Sequence, residues 1–501
     1  VLNSVVSIIE KSIKKYGKKI AYIDNENSVS FDDLEVMTSK IASRIIQMGC
    51  FNCPILVLSK RNVYTPVAYL GIVKSGNYYV PIDSTLNENR INQIIGATKS
   101  AILLTNRELL GDIEKLNFVG NVLVIEDLIE ARLEPLLIND MNKKMNPMMP
   151  LYTIFTSGST GRPKGVITSH LALINYIDAV NEVLNLSEED ILGNQSPLDY
   201  IAAIRDIYLP LFTGATTVII PKNEFAMASE LAARIDKQGI TVLCWSAAGL
   251  EMTYKSGLLE EIRSNNIKKV LFSGSILPGR VLEAWQTRFP TASFINQYGP
   301  TEATASCTYY VVKEKASANT VLPIGIPYSN YNILLINEDG TKTEDGSIGE
   351  ICVSGLGVTL GYFGDKVLSD EYFIQNPLND KYREIIYKTG DLGRYDEAGM
   401  LFFCGRKDRQ VKHFGHRIEL EEIELYGKKI EGVQECVAVY DNDKSILHFV
   451  YSGEVEKKDI ILFFRNNVPS FMVPRSVEKI EEIPHLPNGK IDIKAVQKLV
   501  I

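Results

Sequence analysis

Thr156-Ser-Gly-Ser-Thr-Gly-Arg-Pro-Lys-Gly165 is the stretch on which the reading of this chain turns. It directly follows an apolar, strand-like run at 151–155. Its three glycines and four hydroxyl residues suit a loop that wraps an anion in backbone N–H groups and hydroxyls. Lys164 adds a positive charge. A flexible Gly/Ser turn is the plain alternative, but proline and lysine at set positions after a strand argue against it. The loop is not the GxxxxGK[ST] pattern, in which a hydroxyl after the lysine holds magnesium. Here Gly165 follows Lys164, so a P-loop NTPase or kinase fits poorly.

Working outward, short strand-like runs alternate with helical ones. Tyr152-Thr-Ile-Phe, Thr216-Thr-Val-Ile-Ile, Ile240-Thr-Val-Leu-Cys, Lys269-Val-Leu-Phe and Ala292-Ser-Phe-Ile are the strands. Buried strands separated by helices predict an α/β fold with mixed or parallel sheets covered by helices. Such sheets bind ligands in loops at the carboxyl ends of their strands. Upstream, Ala21-Tyr-Ile-Asp and Val29-Ser-Phe flank an Asn25-Glu26-Asn27 turn and read as a hairpin. Residues 31–48 read as an amphipathic helix, and the Asn/Met/Pro/Lys-rich stretch 139–150 as a loop. Beyond Asp408 the pattern restarts as a small α+β unit, with strands at 433–440 and 446–451 and a helix at 457–466. A boundary near 405–410 divides the chain into a large N-terminal domain, 1–407, and a small mobile C-terminal domain, 408–501.

Composition narrows the function classes. A net charge of −8 argues against a binder of phosphate backbones, which needs a basic face. The seven cysteines are odd in number and scattered, so they do not form a disulfide framework. Cys50 and Cys53 make one lone CxxC, which is weak evidence for zinc beside the plain reading of ordinary thiols. Ordinary thiols imply a reducing, cytoplasmic setting; no apolar run is long enough to span a bilayer, and no secretory signal opens the chain. The chain begins at Val1, which reads as a processed or trimmed start.

Further segments fall in a fixed order. They are Val73-Lys-Ser-Gly-Asn-Tyr-Tyr-Val-Pro-Ile-Asp83, Asn296-Gln-Tyr-Gly-Pro-Thr-Glu302, Gly349-Glu350 with the block 355–362, and Tyr387-Lys-Thr-Gly-Asp-Leu392. Gly405-Arg-Lys-Asp-Arg-Gln-Val-Lys412, Arg417-Ile-Glu-Leu-Glu-Glu-Ile-Glu424 and Leu486-Pro-Asn-Gly-Lys-Ile-Asp492 follow. With the 156–165 loop, this series resembles the adenylate-forming superfamily, and within it the adenylation domains of nonribosomal peptide synthetases. The resemblance covers nearly the whole chain.

That resemblance implies an ATP-dependent enzyme that joins a carboxylate to AMP with Mg2+ present. Thr156, Ser157, Gly158, Ser159, Thr160, Gly161 and Lys164 would cradle the β- and γ-phosphates. Glu302 would be the metal ligand and Thr301 an α-phosphate contact. Tyr298 would stack on adenine and Asn296 would bond its edge, with Gly274 and Ser275 in the same nucleotide site. Asp391 would accept from both ribose hydroxyls, as a carboxylate can, and Arg406 would add a ribose or phosphate contact. Lys490 would be the catalytic lysine bridging substrate carboxylate and α-phosphate. Because it lies in the small domain, that domain must close over the site. A second orientation for thiol transfer is implied, with Asp408 at the hinge and Gly415 in a loop that then faces the site. His413 and His416 read as local structure rather than general bases.

The acyl pocket is where the chain departs from the family. Adenylation domains for α-amino acids carry a Phe-Asp pair whose Asp, five residues before an acidic residue, meets the substrate ammonium. Counting back from Asp206 gives Ile201, with Tyr200 at the Phe position. Asp199 would serve only with a two-residue insertion. An ammonium facing Ile201 would be costly to desolvate. The acid therefore lacks an α-amino group: an aryl acid such as a hydroxybenzoate, a hydroxy or keto acid, or another desamino acid. A β-amino acid recognised differently stays open. The other pocket positions implied by alignment are Ala202, Arg205, Cys244, Leu271, Ser273, Gln297, Ala305 and Ser306. Arg205 either points inward, toward a polar tail on the acid, or outward as a surface arginine.

The acceptor expected is the phosphopantetheine thiol of a carrier protein, with coenzyme A as the runner-up. No carrier domain follows Lys490, so the chain reads as a stand-alone ligase or an excised domain. A binding module that has lost its chemistry is the alternative of a different class. The presence of Lys164, Glu302, Asp391 and Lys490 argues against it.

Overall fold

The computed structural model describes residues 4–158, 161–413, 415–442, 444–485 and 491–501. Ser159, Thr160 and Lys490, three of the expected site residues, lie outside the described residues.

Two large sheets, joined through helices, carry the first part of the chain. One runs Asn121–Val124, Ile102–Thr105, Pro54–Ser59, Tyr78–Asp83, Pro150–Thr156, Lys164–Ser169. The other runs Ile326–Pro327, Thr308–Val311, Ser293–Tyr298, Lys269–Ser273, Val242–Ser246, Ile191–Asn194, Thr216–Ile219, Ile20–Ile23, Ser28–Ser30. Their inner strands pair in parallel, and antiparallel pairs appear only toward the edges. The mixed α/β expectation holds. Ile20–Ile23 and Ser28–Ser30 form the antiparallel hairpin anticipated around Asn25-Glu26-Asn27.

The main core lies between these sheets. Val57, Tyr79 and Tyr152 from one meet Leu192, Leu271 and Ile295 from the other through helices Phe31–Gln47, Tyr64–Lys74, His170–Leu184 and Ile204–Thr213. Phe31–Gln47 starts where a reciprocal cap forms. Ser30 Oγ accepts from the Asp33 N–H and Asp33 Oδ2 from the Ser30 N–H, each at 3.1 Å. A second core packs against the nine-stranded sheet from its other side, with Trp245 and Trp285 edge to face at 6.1 Å. The expected loop at 139–150 is partly helical. Pro135–Asn142 forms a helix with Pro135 in its first turn and with Ile138 and Met141 buried, so apolar spacing overrides the polar composition.

Past Arg406 the chain forms a small three-stranded sheet, Val433–Asp441, Ile446–Gly453 and Ser476–Lys479. Ile423 and Phe464 from helices Leu420–Gly427 and Lys457–Asn467 cover one face with Phe449. Val496 from Ile493–Val500 covers the other with Val437 and Val450. Between the two parts lies the antiparallel pair Gln410–His413 and His416–Glu419. Among the described residues no helix is long and apolar enough to cross a membrane.

The first helix, Val5–Tyr16, is tied to the core by a histidine. His170 is 1% exposed, and its Nδ1 accepts from the Val5 N–H at 3.2 Å. Burial pushes the imidazole down to about 3, so it stays neutral in the fold. The unfolded chain protonates near pH ~6.5. This contribution to stability is therefore complete above that value and is lost as pH falls toward the folded value. His170→Asn should flatten the acid-side decline of the urea midpoint between about pH 7 and pH 4. An unchanged slope would assign the decline to other groups.

Candidate active site

The glycine-rich loop is a hairpin between antiparallel strands, Pro150–Thr156 and Lys164–Ser169, with Thr156 opposite Lys164. No helix follows it directly, so an anion there relies on N–H groups, hydroxyls and Lys164 rather than on a helix dipole. Two glycines are required by geometry. A Cβ on Gly158 would sit 2.2 Å from the Arg162 carbonyl oxygen, and Gly161 has φ +73°. The block ending at Tyr362 runs beside this hairpin, with the Phe363 N–H on the Gly165 carbonyl at 2.7 Å and the Leu360 N–H on Ile167 at 2.8 Å.

That pairing brings Tyr362 to Glu302. Thr301 and Glu302 open the short turn Thr301–Ala303 after strand Ser293–Tyr298. Glu302 has no exposed surface and accepts from Tyr362 OH at 2.7 Å. Arg417 Nη1 lies 3.0 Å from both of its oxygens. Burial alone would raise this carboxyl, but Arg417 and Lys164 outweigh it and pull it down to about 2. Glu302 is therefore ionised at any working pH.

The segment that supplies Arg417 covers the hairpin. Ser157 Oγ donates to the Arg417 carbonyl at 2.7 Å. Lys164 Nζ lies 3.4 Å from Glu419, which also accepts from Gln410. Glu422 takes Arg90 at 3.0 Å and the Gly158 N–H at 3.3 Å. Glu419 and Glu422 thus engage donors of the anion cradle. Tyr200 OH donates to the Gly415 carbonyl at 2.8 Å, which places that loop against the segment leading into the turn Ile201–Ala203. Sequence reasoning assigned no role to Arg90, Tyr362, Arg417, Glu419 or Glu422. The run of glutamates at 419–424 was the visible signal, but only the fold shows what it faces.

Beside this lies a cavity of about 950 Å³, within the range of small-molecule sites. Gly274, Ser275, Asn296, Tyr298, Asp391 and Arg406 all line it, so the structure gathers the expected nucleotide residues. Their mutual bonds are specific. Tyr298 OH donates to Asp391 Oδ2 at 2.5 Å, and Arg406 pairs with Asp391 and, at 2.7 Å through Nη2, with Asp408. Asn296 Nδ2 donates to the Pro323 carbonyl at 2.9 Å. His413 Nδ1 is 3.1 Å from Tyr440 OH, and His416 stacks on Phe471 at 4.0 Å.

The expected acyl residues also converge. In register, Cys244 pairs with Leu271, and Ser273 with Gln297, across three adjacent parallel strands. Ile201 and Ala202 lie in the turn Ile201–Ala203, both nearly buried. Ser306 Oγ reaches Gln297 Oε1 at 3.3 Å, and Ala305 precedes it with φ +74°. Arg205 points inward: it is 1% exposed and donates to Gln297 Oε1 and, at 3.4 Å, to Ser273 Oγ. Asp199 has different neighbours. Burial and Asp83 push its carboxyl up to about 7, against Arg61 and Lys222, and none of these belongs to the pocket.

A family profile described as AMP-binding enzyme matches residues 9–363. The chain is 31% identical over 511 residues to a D-alanine–D-alanyl carrier protein ligase of Bacillus cytotoxicus, covering 97% of each. It is also 31% identical over 479 residues to surfactin synthase subunit 3 of Bacillus subtilis, with 94% of this chain matched but only 37% of that relative. Among solved structures, the adenylation domain AlmE of Vibrio cholerae superposes with a TM-score of 0.86 at 22% identity, covering 100% of this chain and 98% of that one. At that identity the likeness is one of fold. The chain belongs to the AMP-binding enzyme family and is an adenylate-forming, AMP-forming ligase.

Proposed function

We propose that this ligase activates a carboxylic acid lacking an α-amino group, aryl acids such as a hydroxybenzoate included, and passes the acyl group to the phosphopantetheine thiol of a carrier protein. Ile201 carries the substrate half of this reading: a buried apolar side chain stands where an ammonium would need a carboxylate. The carrier half is supported by relatives whose names specify carrier-protein ligases and that match over nearly their whole length. Coenzyme A is the alternative acceptor, and an amino or β-amino acid with relocated amine recognition the alternative substrate.

In the first step a carboxylate oxygen attacks the α-phosphorus of ATP and pyrophosphate leaves. Lys164, the N–H groups of the hairpin and its hydroxyls offset charge on the departing phosphates. Glu302 suits Mg2+, because it is a hard oxygen donor that stays ionised. The ion would neutralise phosphate charge. In the second step the thiol attacks the acyl carbonyl, AMP leaves and the thiol proton passes to solvent. Thr301, Tyr298, Asn296, Gly274, Ser275, Asp391 and Arg406 hold the nucleotide, and Lys490 bridges substrate carboxylate and α-phosphate in the first step only.

The two steps need two placements of a small domain, 408–501, about a hinge at Asp408. With Arg417 on Glu302, and with Glu419 and Glu422 on Lys164, Arg90 and Gly158, the cradle is taken by protein groups. We assign this placement to the second step, after pyrophosphate has gone.

Pyrophosphate exchange should be supported by desamino acids and not by their α-amino counterparts, and Ile201→Asp should weaken the preferred acid at least about tenfold, since one buried unpaired charge costs several kcal/mol. Preference for the amino acids would refute the substrate assignment. Lys490→Ala should abolish exchange yet leave transfer from a supplied acyl-adenylate largely intact; equal loss of both would remove the assigned role. Arg417→Met should slow transfer more than exchange, and the reverse order would place the docked arrangement in the first step.

A further inference from the structure

Arg205 is a buried cation without an acid on it. Among the described residues no carboxylate lies within 4.0 Å of its guanidinium. Its bonds go to neutral acceptors: Gln297 Oε1, and Ser273 Oγ at 3.4 Å. Its Nε is fully buried with no acceptor at all. Tyr176 and Tyr328, both buried, and Cys244 are its other titratable neighbours. Tyr328 OH is taken by Gln297, and the buried Tyr176 hydroxyl lies beside Ser306 and Arg205 as a neutral group.

The next residue in the chain, Asp206, makes no hydrogen bond to the guanidinium, and its Oδ1 is buried without a partner. Its Oδ2 accepts from Asn194 Nδ2 at 2.6 Å. Burial pushes its carboxyl up to about 7, with Arg61 as well as Arg205 acting on it. Arg61 is itself turned to Asn194. An arginine does not escape this by losing its proton. Tyr176, Cys244, Asp206 and Tyr328 favour the cation against burial, but none of them forms an ion pair with it, as a substrate carboxylate would.

The position tells where such a carboxylate would lie. Ser273 is partly exposed and adjoins Gly274 and Ser275 on the cavity wall, and Gln297 lines the same cavity. Arg205 therefore stands one side chain behind the wall at the carboxyl ends of strands Lys269–Ser273 and Ser293–Tyr298. A guanidinium presents a planar fork that matches a carboxylate, and the amide of Gln297 and the hydroxyl of Ser273 are weaker substitutes.

We propose that Arg205 is the specificity-determining residue for the far end of the acid, and that the substrate is a dicarboxylic acid activated at one carboxyl while Arg205 holds the other. This rests on the reading of 201–306 as the acyl site. Within the desamino acids it ranks a benzene- or alkane-dicarboxylate above a neutral hydroxybenzoate. No bond is made or broken at the held carboxylate.

The test is pyrophosphate exchange by the intact protein with matched pairs: glutarate against pentanoate, and benzene-1,3-dicarboxylate against benzoate and 3-hydroxybenzoate. The diacid should lead its neutral partners by at least about 100-fold in kcat/KM, because a buried charge left unpaired is heavily penalised. Arg205→Met should lose the diacid and gain the neutral acid, and folding is checked by circular dichroism. Should Arg205→Met not fold, Ser273→Asp supplies an internal counter-charge and is expected to give the same inversion. Equal use of diacid and neutral acid, or equal loss of both in the variants, overturns the proposal alone. A lead for 3-hydroxybenzoate over the diacid also overturns it and returns the pocket to a neutral aryl acid. Absence of exchange with every acid overturns the activation reading, and this proposal with it.

Discussion

Glu302 is the point on which the structure's two parts depend. A carboxylate with no exposed surface persists only beside a counter-charge. The counter-charge here comes from 115 residues further along the chain: Arg417 lies 3.0 Å from both oxygens, on the segment that joins the small unit. Tyr362 fixes the carboxylate from the other side. A metal ion carrying phosphates would need the same oxygens. On the proposed reading, guanidinium and metal would compete for one group, and the placement of the small unit would be coupled to what the cradle holds. Such coupling requires no signal through the protein, only one acceptor and two competing cations.

The same logic extends over the hairpin. Lys164 and the Gly158 N–H are arranged for an anion, and in this arrangement the anions are Glu419 and Glu422. Arg90, from helix Glu88–Thr98, holds Glu422 in place. Glu419 ends the strand His416–Glu419 and Glu422 lies in the first turn of helix Leu420–Gly427, so on the proposed reading these two carboxylates would stand in for phosphate oxygens. On the proposed reading a bound nucleotide would displace them, and they would return to the cradle once it empties. In an adenylating enzyme this would link departure of pyrophosphate to arrival of the small domain.

Much of this was legible in the chain itself, for definite reasons. The parallel core strands announce themselves as β-branched runs between helices, because both faces are buried. The hairpin and the nucleotide residues sit in local patterns whose spacing survives any packing. What escaped was non-local. Arg417 and Glu302 are 115 residues apart, and nothing in either neighbourhood names the other. Arg90 sits on a helix with ordinary amphipathic spacing and reads as solvated until Glu422 reaches it. The direction of Arg205 was open because its helix, Ile204–Thr213, is buried nearly throughout, so periodicity marks no outer face. The helix Pro135–Asn142 was hidden by a composition rich in turn formers, although Ile138 and Met141 already had helical spacing.

The pocket's electrostatics invert those of an amino-acid site. Such a site supplies a carboxylate near the reacting end and leaves the far end to shape. On the proposed reading of 201–306 the near end would offer Ile201 and the far end Arg205, with negative charge withdrawn from one position and positive charge placed at the other. Either change alone is open to local compensation: an apolar residue tolerates a neutral acid of any kind, and a buried arginine finds an internal partner. Together they discriminate by sign, disfavouring a cation beside the scissile carboxyl and favouring an anion at the opposite end. Discrimination by sign of charge in a dry pocket is far steeper than discrimination by a methylene.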